Sequence, residues 1–312
     1  MSQLYKVGIA VGLLVVAAAP SVLSAYYVSF LINLLMYISV AASWNLFSGF
    51  TGYPSLGQGL FFGIGAYAFA VVTTTLMLHP IVGFLTALVV ATVLAACLGL
   101  LLLRARIRMA YFAIVMLGFN EIFQTLVANS KPLGSSYGLT LPPMSSALLA
   151  YYFLLAVALG TVATTALITR SPIGFGLKSI VADEVAAEIT GINTPVLKIG
   201  MFIASAAPLG LSGAMIAWYW SYIDPYMAFD LNLSFEMLVM AVFGGVGTVT
   251  GPVLGAIFIC VVKEALSNSI PHVHPIVFGV LVLGLIIWRP GGLIEVFDRY
   301  SIKVAGTKKV TA

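Results

Sequence analysis

Asp183, Glu184 and Glu188 are the tightest grouping of carboxylates in the chain, and they fall in its one long polar interruption, residues 170–198. Arg170, Lys178 and Lys198 complete the charged side chains of that stretch. With no His or Cys beside them, these carboxylates suit ion-pair recognition and docking, not acid–base, nucleophilic or metal chemistry. Glu184 and Glu188 are four residues apart and share a face of any helix that carries them. Ser171-Pro172 stops the preceding helix, and Gly191 with Asn193 and Pro195 stops the next. Between these stops, 178–190 contains neither Gly nor Pro and predicts one short helix, with Ile180, Val181, Ala186, Ala187 and Ile189 among its apolar members. Such a helix is too short and too charged to cross a bilayer. Set between two strongly apolar segments, it reads as a docking surface, with a solvated connection as the alternative.

Polar side chains inside apolar segments form the second group, because each is costly in lipid. Asn120, Glu121 and Gln124 cluster midway to late in the segment 111–128, with Asn120 and Gln124 on one face. They either line a translocation path or join helices by hydrogen bonds. Asn45, Ser55 and Gln58 sit at a glycine-rich interruption and are cavity-lining candidates. Glu236, with Asp224 and Asp230, makes one outer end acidic, which fits either a basic partner or solvent. Trp218, Tyr219, Trp220, Tyr222 and Tyr226 read as an interfacial belt. Cys97 and Cys260 read as small buried hydrophobes, and His79, His272 and His274, beside prolines, as polar caps. No glycine-rich loop ends in Gly-Lys-Ser/Thr, and no zinc-protease helix or Gly-x-Ser-x-Gly elbow occurs. The chain is therefore expected to hold no metal or cofactor and to catalyse nothing itself.

Membrane helices must position these groups. The 312 residues are 61% hydrophobic and 8% charged, where a soluble domain carries roughly 25% charged residues. The mean hydropathy is +1.11. The expected fold is all-α: one polytopic transmembrane bundle over 1–312. The net charge of +4 is explained by topology and not by nucleic-acid binding. Apolar segments begin near residue 7 and continue at about 26–47, 56–78, 80–103, 111–128, 147–169, 197–220, 233–244, 252–268 and 272–288, which makes about ten. Leu23-Ser24-Ala25 loosely resembles a signal-peptidase site. Retaining the first segment, with both termini cytoplasmic, puts every Lys and Arg except Lys131 and Lys263 on the cytoplasmic side.

Two glycine-rich stretches interrupt this pattern. The first holds Gly49, Gly52, Pro54, Gly57 and Gly59; the second holds Gly244, Gly245, Gly247, Gly251, Pro252 and Gly255. Several of these glycines stand at i, i+4 spacing, which allows close helix packing. The prolines among them also suggest helices broken within the membrane, where irregular backbone must be buried in protein or line a cavity. Pro208, in the segment after the polar interruption, predicts a kink.

Four motifs in consistent order resemble the branched-chain amino-acid permease family of ABC importers. They are Asn45-Leu46 followed by GFTGYPSLGQGLFFGIGAY; the run Asp183–Glu188 with Gly191-Ile192-Asn193; Leu211-Ser212-Gly213-Ala214; and LSFEMLVMAVFGGVGTVTGPVLGA over 233–256. The resemblance implies a permease subunit in a bacterial inner membrane, importing branched-chain or other hydrophobic amino acids by alternating access. Urea or a short amide is the alternative substrate within the family. An ion-coupled transporter or channel, for which Glu121 is the candidate coupling charge, is the alternative from another class. The implied partners are two ATPase subunits carrying ATP and Mg, a second related permease forming a heterodimer, an extracytoplasmic solute-binding protein, and membrane lipid. Carried onto this sequence, the ATPase-coupling segment is about 171–195, with Lys178, Asp183, Glu184, Ala186, Ala187, Glu188 and Gly191.

Overall fold

The structure, a computed structural model, describes residues 18–269 apart from 22 and 106, together with 279. Most of the expected first segment, the segment 272–288, Arg106, His272, His274 and the basic tail lie outside the described residues. The helices are α1 (Ala25–Trp44), α2 (Gly59–Thr74), α3 (Pro80–Leu102), α4 (Met109–Ala128) and α5 (Ala147–Thr169). They continue with α6 (Pro172–Ala182), α7 (Glu184–Ile189), α8 (Thr194–Trp220), α9 (Pro225–Ala228), α10 (Leu231–Gly244) and α11 (Gly251–Ser269). A π-helical turn, Asn45–Gly49, extends α1. The only sheet among the described residues is a two-stranded pair, β1 (Leu139–Thr140) and β2 (Tyr222–Ile223), with Leu139 opposite Ile223 and Thr140 opposite Tyr222.

The chain is an all-α polytopic membrane protein. Among the described residues, six helical stretches are long and apolar enough to cross a bilayer: Ala25–Gly49, Pro80–Leu102, Met109–Ala128, Ala147–Thr169, Thr194–Trp220 and Pro225–Gly244. Gly59–Thr74 is apolar but shorter.

Helix association in lipid gains little from burying apolar surface, so it depends on how closely backbones can approach. Helix α3 illustrates the rule. Its buried stripe is Gly83, Ala87, Ala91 and Ala95, all small and four residues apart, while the large Leu85, Val89 and Val93 face outward. The buried stripe lies against α8, where a Cβ on Gly210 would stand 2.7 Å from Ala91 Cβ. On another face of α8, a Cβ on Gly213 would come within 2.0 Å of the Phe62 carbonyl oxygen of α2. Helix α8 thus sits between α2 and α3, and it runs as one helix through Pro208. Ser212 of α8 meets Ser39 of α1 across 3.0 Å.

Candidate functional site

The site grows from one capping residue. Asp183 is extended (φ −161°, ψ 110°), and its Oδ1 accepts from the backbone N–H groups of Val185 at 2.9 Å and Ala186 at 3.0 Å. A short carboxylate satisfies the free donors at a helix start better than it serves mid-helix. The single helix expected over 178–190 is therefore two, α6 and α7, meeting at Asp183. Gly191, at φ +89°, ends α7 in a conformation that disfavours a side chain.

The bend sends the side chains of the pair to different places. Lys178, Asp183 and Ala186 are exposed on the outer face with Phe175, Val181, Val185 and Ile189, whereas Ala187 is buried with Leu177 and Ile180 beneath. An apolar patch fringed by charge is the usual mark of a partner surface. Glu184 turns inward. It pairs with Lys198, which lies near the start of α8 and is fully buried. The Tyr53 hydroxyl, from the loop between α1 and α2, donates to Glu184 Oε2 at 3.0 Å, and its ring lies 4.2 Å from the Lys198 ammonium. Thr194 Oγ1 is 2.7 Å from Glu188 and 3.3 Å from Glu184. Burial works to raise the Glu184 pKa, but the Lys198 ammonium and the Tyr53 and Thr194 hydroxyls hold it below its ordinary value. Burial, with the neighbouring Glu184 carboxylate, pushes the Tyr53 phenol up to about 12, so it stays a donor. Three elements, α7, α8 and the 50–58 loop, thus meet at one carboxylate.

Lys198 and Tyr53 carry this cluster, and the sequence reading passed over both. Lys198 looked like one more topological lysine. The available signal was its place inside an apolar helix, which demands a nearby counter-charge.

The 50–58 loop leads inward to the glycine-rich stretches. Gly52 has φ +74°, and Gly245 and Gly247 have φ +125° and +72°. Pro54 lies in the non-helical backbone between Gly52 and Gln58, and Gly251 and Pro252 begin α11. Asn45 joins the two stretches: its Oδ1 accepts from Gly247 N–H at 2.8 Å and its Nδ2 donates to the Thr248 carbonyl at 2.9 Å. Asn45→Ala is expected to lower stability by about 1–2 kcal/mol, the cost of leaving two part-buried backbone groups without their partner. A matching fall in the thermal midpoint of the detergent-solubilised protein would measure it.

Beyond Pro54 the chain packs on α4: a Cβ on Gly57 would come within 2.0 Å of the Met116 carbonyl oxygen. Ser234 Oγ accepts from Gly59 N–H at 2.9 Å, and Asn120 Nδ2 donates to the Phe229 carbonyl at 2.7 Å. Here polar atoms outnumber their partners. Ser55 Oγ, both amide atoms of Gln58, Asn120 Oδ1 and Tyr67 Oη are buried with no hydrogen-bond partner among the described residues. Buried polar groups are ordinarily paired, so this interior has capacity for water or a polar solute. Asn45, Ser55, Gln58 and Asn120 are all buried in this region, while Glu121 on the adjoining face of α4 and Gln124, one turn beyond Asn120, are half-buried.

Three smaller expectations change. Glu236 does not extend an acidic outer face: it pairs with Lys263 at 2.6 Å. Asp224 and Asp230 cap α9 and α10. Cys97 is exposed on α3, and only Cys260 is buried, because α3 gives its outer face to lipid. His79 does cap α3, accepting from Ile81 N–H at 3.3 Å.

A family model described as "Branched-chain amino acid transport system / permease component" matches residues 26–288. The chain is 29% identical over 319 residues to the high-affinity branched-chain amino acid transport system permease protein LivM of Escherichia coli, covering 91% of this chain and 74% of that protein. It is 24% identical over 285 residues to the corresponding LivH of Salmonella typhimurium, covering 82% and 90%. It is also 23% identical over 313 residues to a probable LivM of Methanocaldococcus jannaschii, covering 83% and 90%. No solved structure matches.

Proposed function

The chain belongs to the family of branched-chain amino acid transport system permease components, and from that premise we propose an ATP-driven importer of branched-chain or other hydrophobic amino acids as its assembly. In this reading the chain is one membrane subunit, with a second related permease beside it. Two ATPase subunits, carrying ATP and Mg, bind the α6–α7 face on the cytoplasmic side, where both termini also lie. A solute-binding protein delivers substrate from outside.

The observation that carries the reading is the junction at Glu184. An ATPase that moves the exposed face of α7 moves Glu184 with it, and Glu184 is tied to Lys198 of α8 and to Tyr53. The same displacement therefore reaches a membrane helix and the first glycine-rich loop. Asn45 passes the motion of that loop's flank to the second glycine-rich stretch. Buried Gln58 and Asn120, with unpaired polar atoms, lie alongside and are the groups we assign to the translocation path. Alternating access follows if the two glycine-rich stretches move as a unit.

The test is uptake of radiolabelled leucine, with urea in parallel, by membrane vesicles containing the whole assembly. Leucine is expected to accumulate only with ATP and only with the ATPase subunits present. Accumulation that follows an ion gradient without them would overturn the reading and direct attention to Glu121. Urea accumulation in place of leucine would keep ATP-driven import and reassign the substrate.

A further inference from the structure

Three membrane spans, α3, α4 and α5, are loosely covered by the rest of the chain: only 28% of the residues in each apolar stretch are buried, against 61% in α8. Helices α3 and α5 contain no charged residue. Their outward side chains are those that lipid accepts, such as Leu85, Val89 and Val93 on α3 and Leu148, Leu159 and Leu167 on α5. Helix α4 departs from that pattern. Glu121 is half-buried at the edge of its exposed face, and among the described residues no hydrogen bond or ion pair reaches the carboxylate.

The position is deep. Glu121 lies twelve residues from the start of α4 and seven from its end, about 18 Å and about 10 Å along the axis. Its neighbour Asn120 donates to the Phe229 carbonyl, and a Cβ on Gly59 would lie 3.6 Å from Asn120 Oδ1. Gly59 begins α2, which runs 16 residues, about 24 Å, before it reaches Thr74 at the end shared with Trp218. A carboxylate at that depth is costly in lipid and ordinarily faces protein or a water-filled path, with a partner.

The surface around it is shaped for a second helix. Leu117 and Gly118 lie one turn before Glu121, and Gln124 and Thr125 one turn after. Nothing comes within 4 Å of the place a Cβ on Gly118 would occupy, so an open notch adjoins the carboxylate. A backbone can approach closely at such a notch, and a polar side chain beside it holds membrane helices together.

We infer that the α4 face around Gly118, Glu121 and Thr125 is the contact for the second permease of the assembly, and that the partner helix presents a Lys or Arg to Glu121. The inference rests on the importer reading for the existence of that partner, and on Glu121 for its place and its charge. A second copy of this chain is a poor match. Two-fold pairing is self-complementary, so the facing surface would again be this one, and it contains no cation.

The test uses the whole importer in its native membrane. The photoreactive residue p-benzoylphenylalanine replaces Ile114 or Thr125, which flank Glu121, and Val89 on the outward face of α3 as the control. The α4 positions are expected to form adducts with the second permease, and the α3 position none. Adducts from α4 with lipid alone, with the chain's own residues 1–17 or 272–288, or with a second copy of the chain overturn the assignment. Independently, Glu121→Leu should reduce recovery of the second permease with the tagged chain at least about tenfold in mild detergent, because it strands the partner's cation. Glu121→Lys should fail in the same way and be rescued by an acidic substitution at the basic residue the cross-link locates. A lipid-facing carboxylate gives the opposite result: Glu121→Leu would leave recovery unchanged and raise the thermal midpoint of the assembly, and the contact would then be wrong while the importer stands. A wild-type assembly with no second permease in it would overturn the importer reading and this contact with it.

Discussion

Lys198→Met is expected to lower ATP-dependent uptake at least tenfold and to reduce thermal stability measurably. Removing one partner of a buried ion pair costs about 3–5 kcal/mol, because the survivor stays buried without compensation. Glu184 keeps hydrogen bonds from Tyr53 and Thr194, and its side chain is 25% exposed, so the expected loss is nearer 1–3 kcal/mol. The double variant Glu184→Gln/Lys198→Met leaves no charge behind and should recover much of that stability. It should not recover uptake, because the tie between α7 and α8 is still missing. A double-mutant cycle on thermal midpoints and on uptake separates the two effects. If the double variant transports as well as wild type, the ion pair is a packing device only. The pH dependence follows from the lowered Glu184 pKa. The pair's contribution is complete above the ordinary carboxylate value of 4.5 and is lost as pH falls through the lower native value. The difference between wild type and Lys198→Met should therefore be constant across neutral pH.

Gly213→Ala should abolish accumulation of folded protein, although it adds one methyl group. That methyl would stand 2.0 Å from the Phe62 carbonyl oxygen and 3.1 Å from Phe62 Cα. Both obstacles are backbone, so α2 and α8 must separate to admit it. Overpacking typically costs about 1–3 kcal/mol and more where a helix must shift. Gly200→Ala is the control on the same helix: nothing lies within 4 Å of its added Cβ, and loss of a flexible glycine favours the helix by about 0.5–1 kcal/mol. The readout is the monodisperse peak of a fluorescent fusion after detergent extraction. A normal peak for Gly213→Ala would mean that the α2–α8 contact is looser than described.

The helices and their glycine motifs were legible because lipid imposes long apolar runs and because close packing requires small residues. Leu211-Ser212-Gly213-Ala214 was visible as a motif, and its contact with Phe62 supplies the reason. What the sequence concealed was direction. Glu184 and Glu188 were seen to share a face, but whether that face turned outward depended on the bend at Asp183. Asp183 was counted as one more charge on a helix, although Asp is also the residue best suited to start one. Lys263 and Glu236 were both placed near the outer end, since 27 residues and a glycine-rich turn separate them. Their pairing depends on how α10 and α11 fold back on each other, which local patterning does not encode. The fate of polar residues on α4 was hidden for a similar reason: only the neighbours at each turn decide that Asn120 is enclosed and Gln124, on the same face, is not.

Helix α8 is held differently at its two ends. At the end beside β2, Leu141 N–H donates to the Ser221 carbonyl at 2.9 Å, Trp218 Nε1 donates to the Pro142 carbonyl at 3.1 Å, and β1 pairs with β2. At the other end it is gripped through Lys198. A rod pinned at one end swings about that end. The 27 residues of α8 make a rod of about 40 Å, with an arm of about 33 Å from Lys198 to the pinned end, so a sideways stroke of about 3 Å at Lys198 turns it by about 5°. Pro208, close to the midpoint, then travels about half that stroke and experiences about twice the applied force. In the proposed importer the pinned strand pair would act as a fulcrum and α8 as a lever, geared for force over distance at the depth of Pro208.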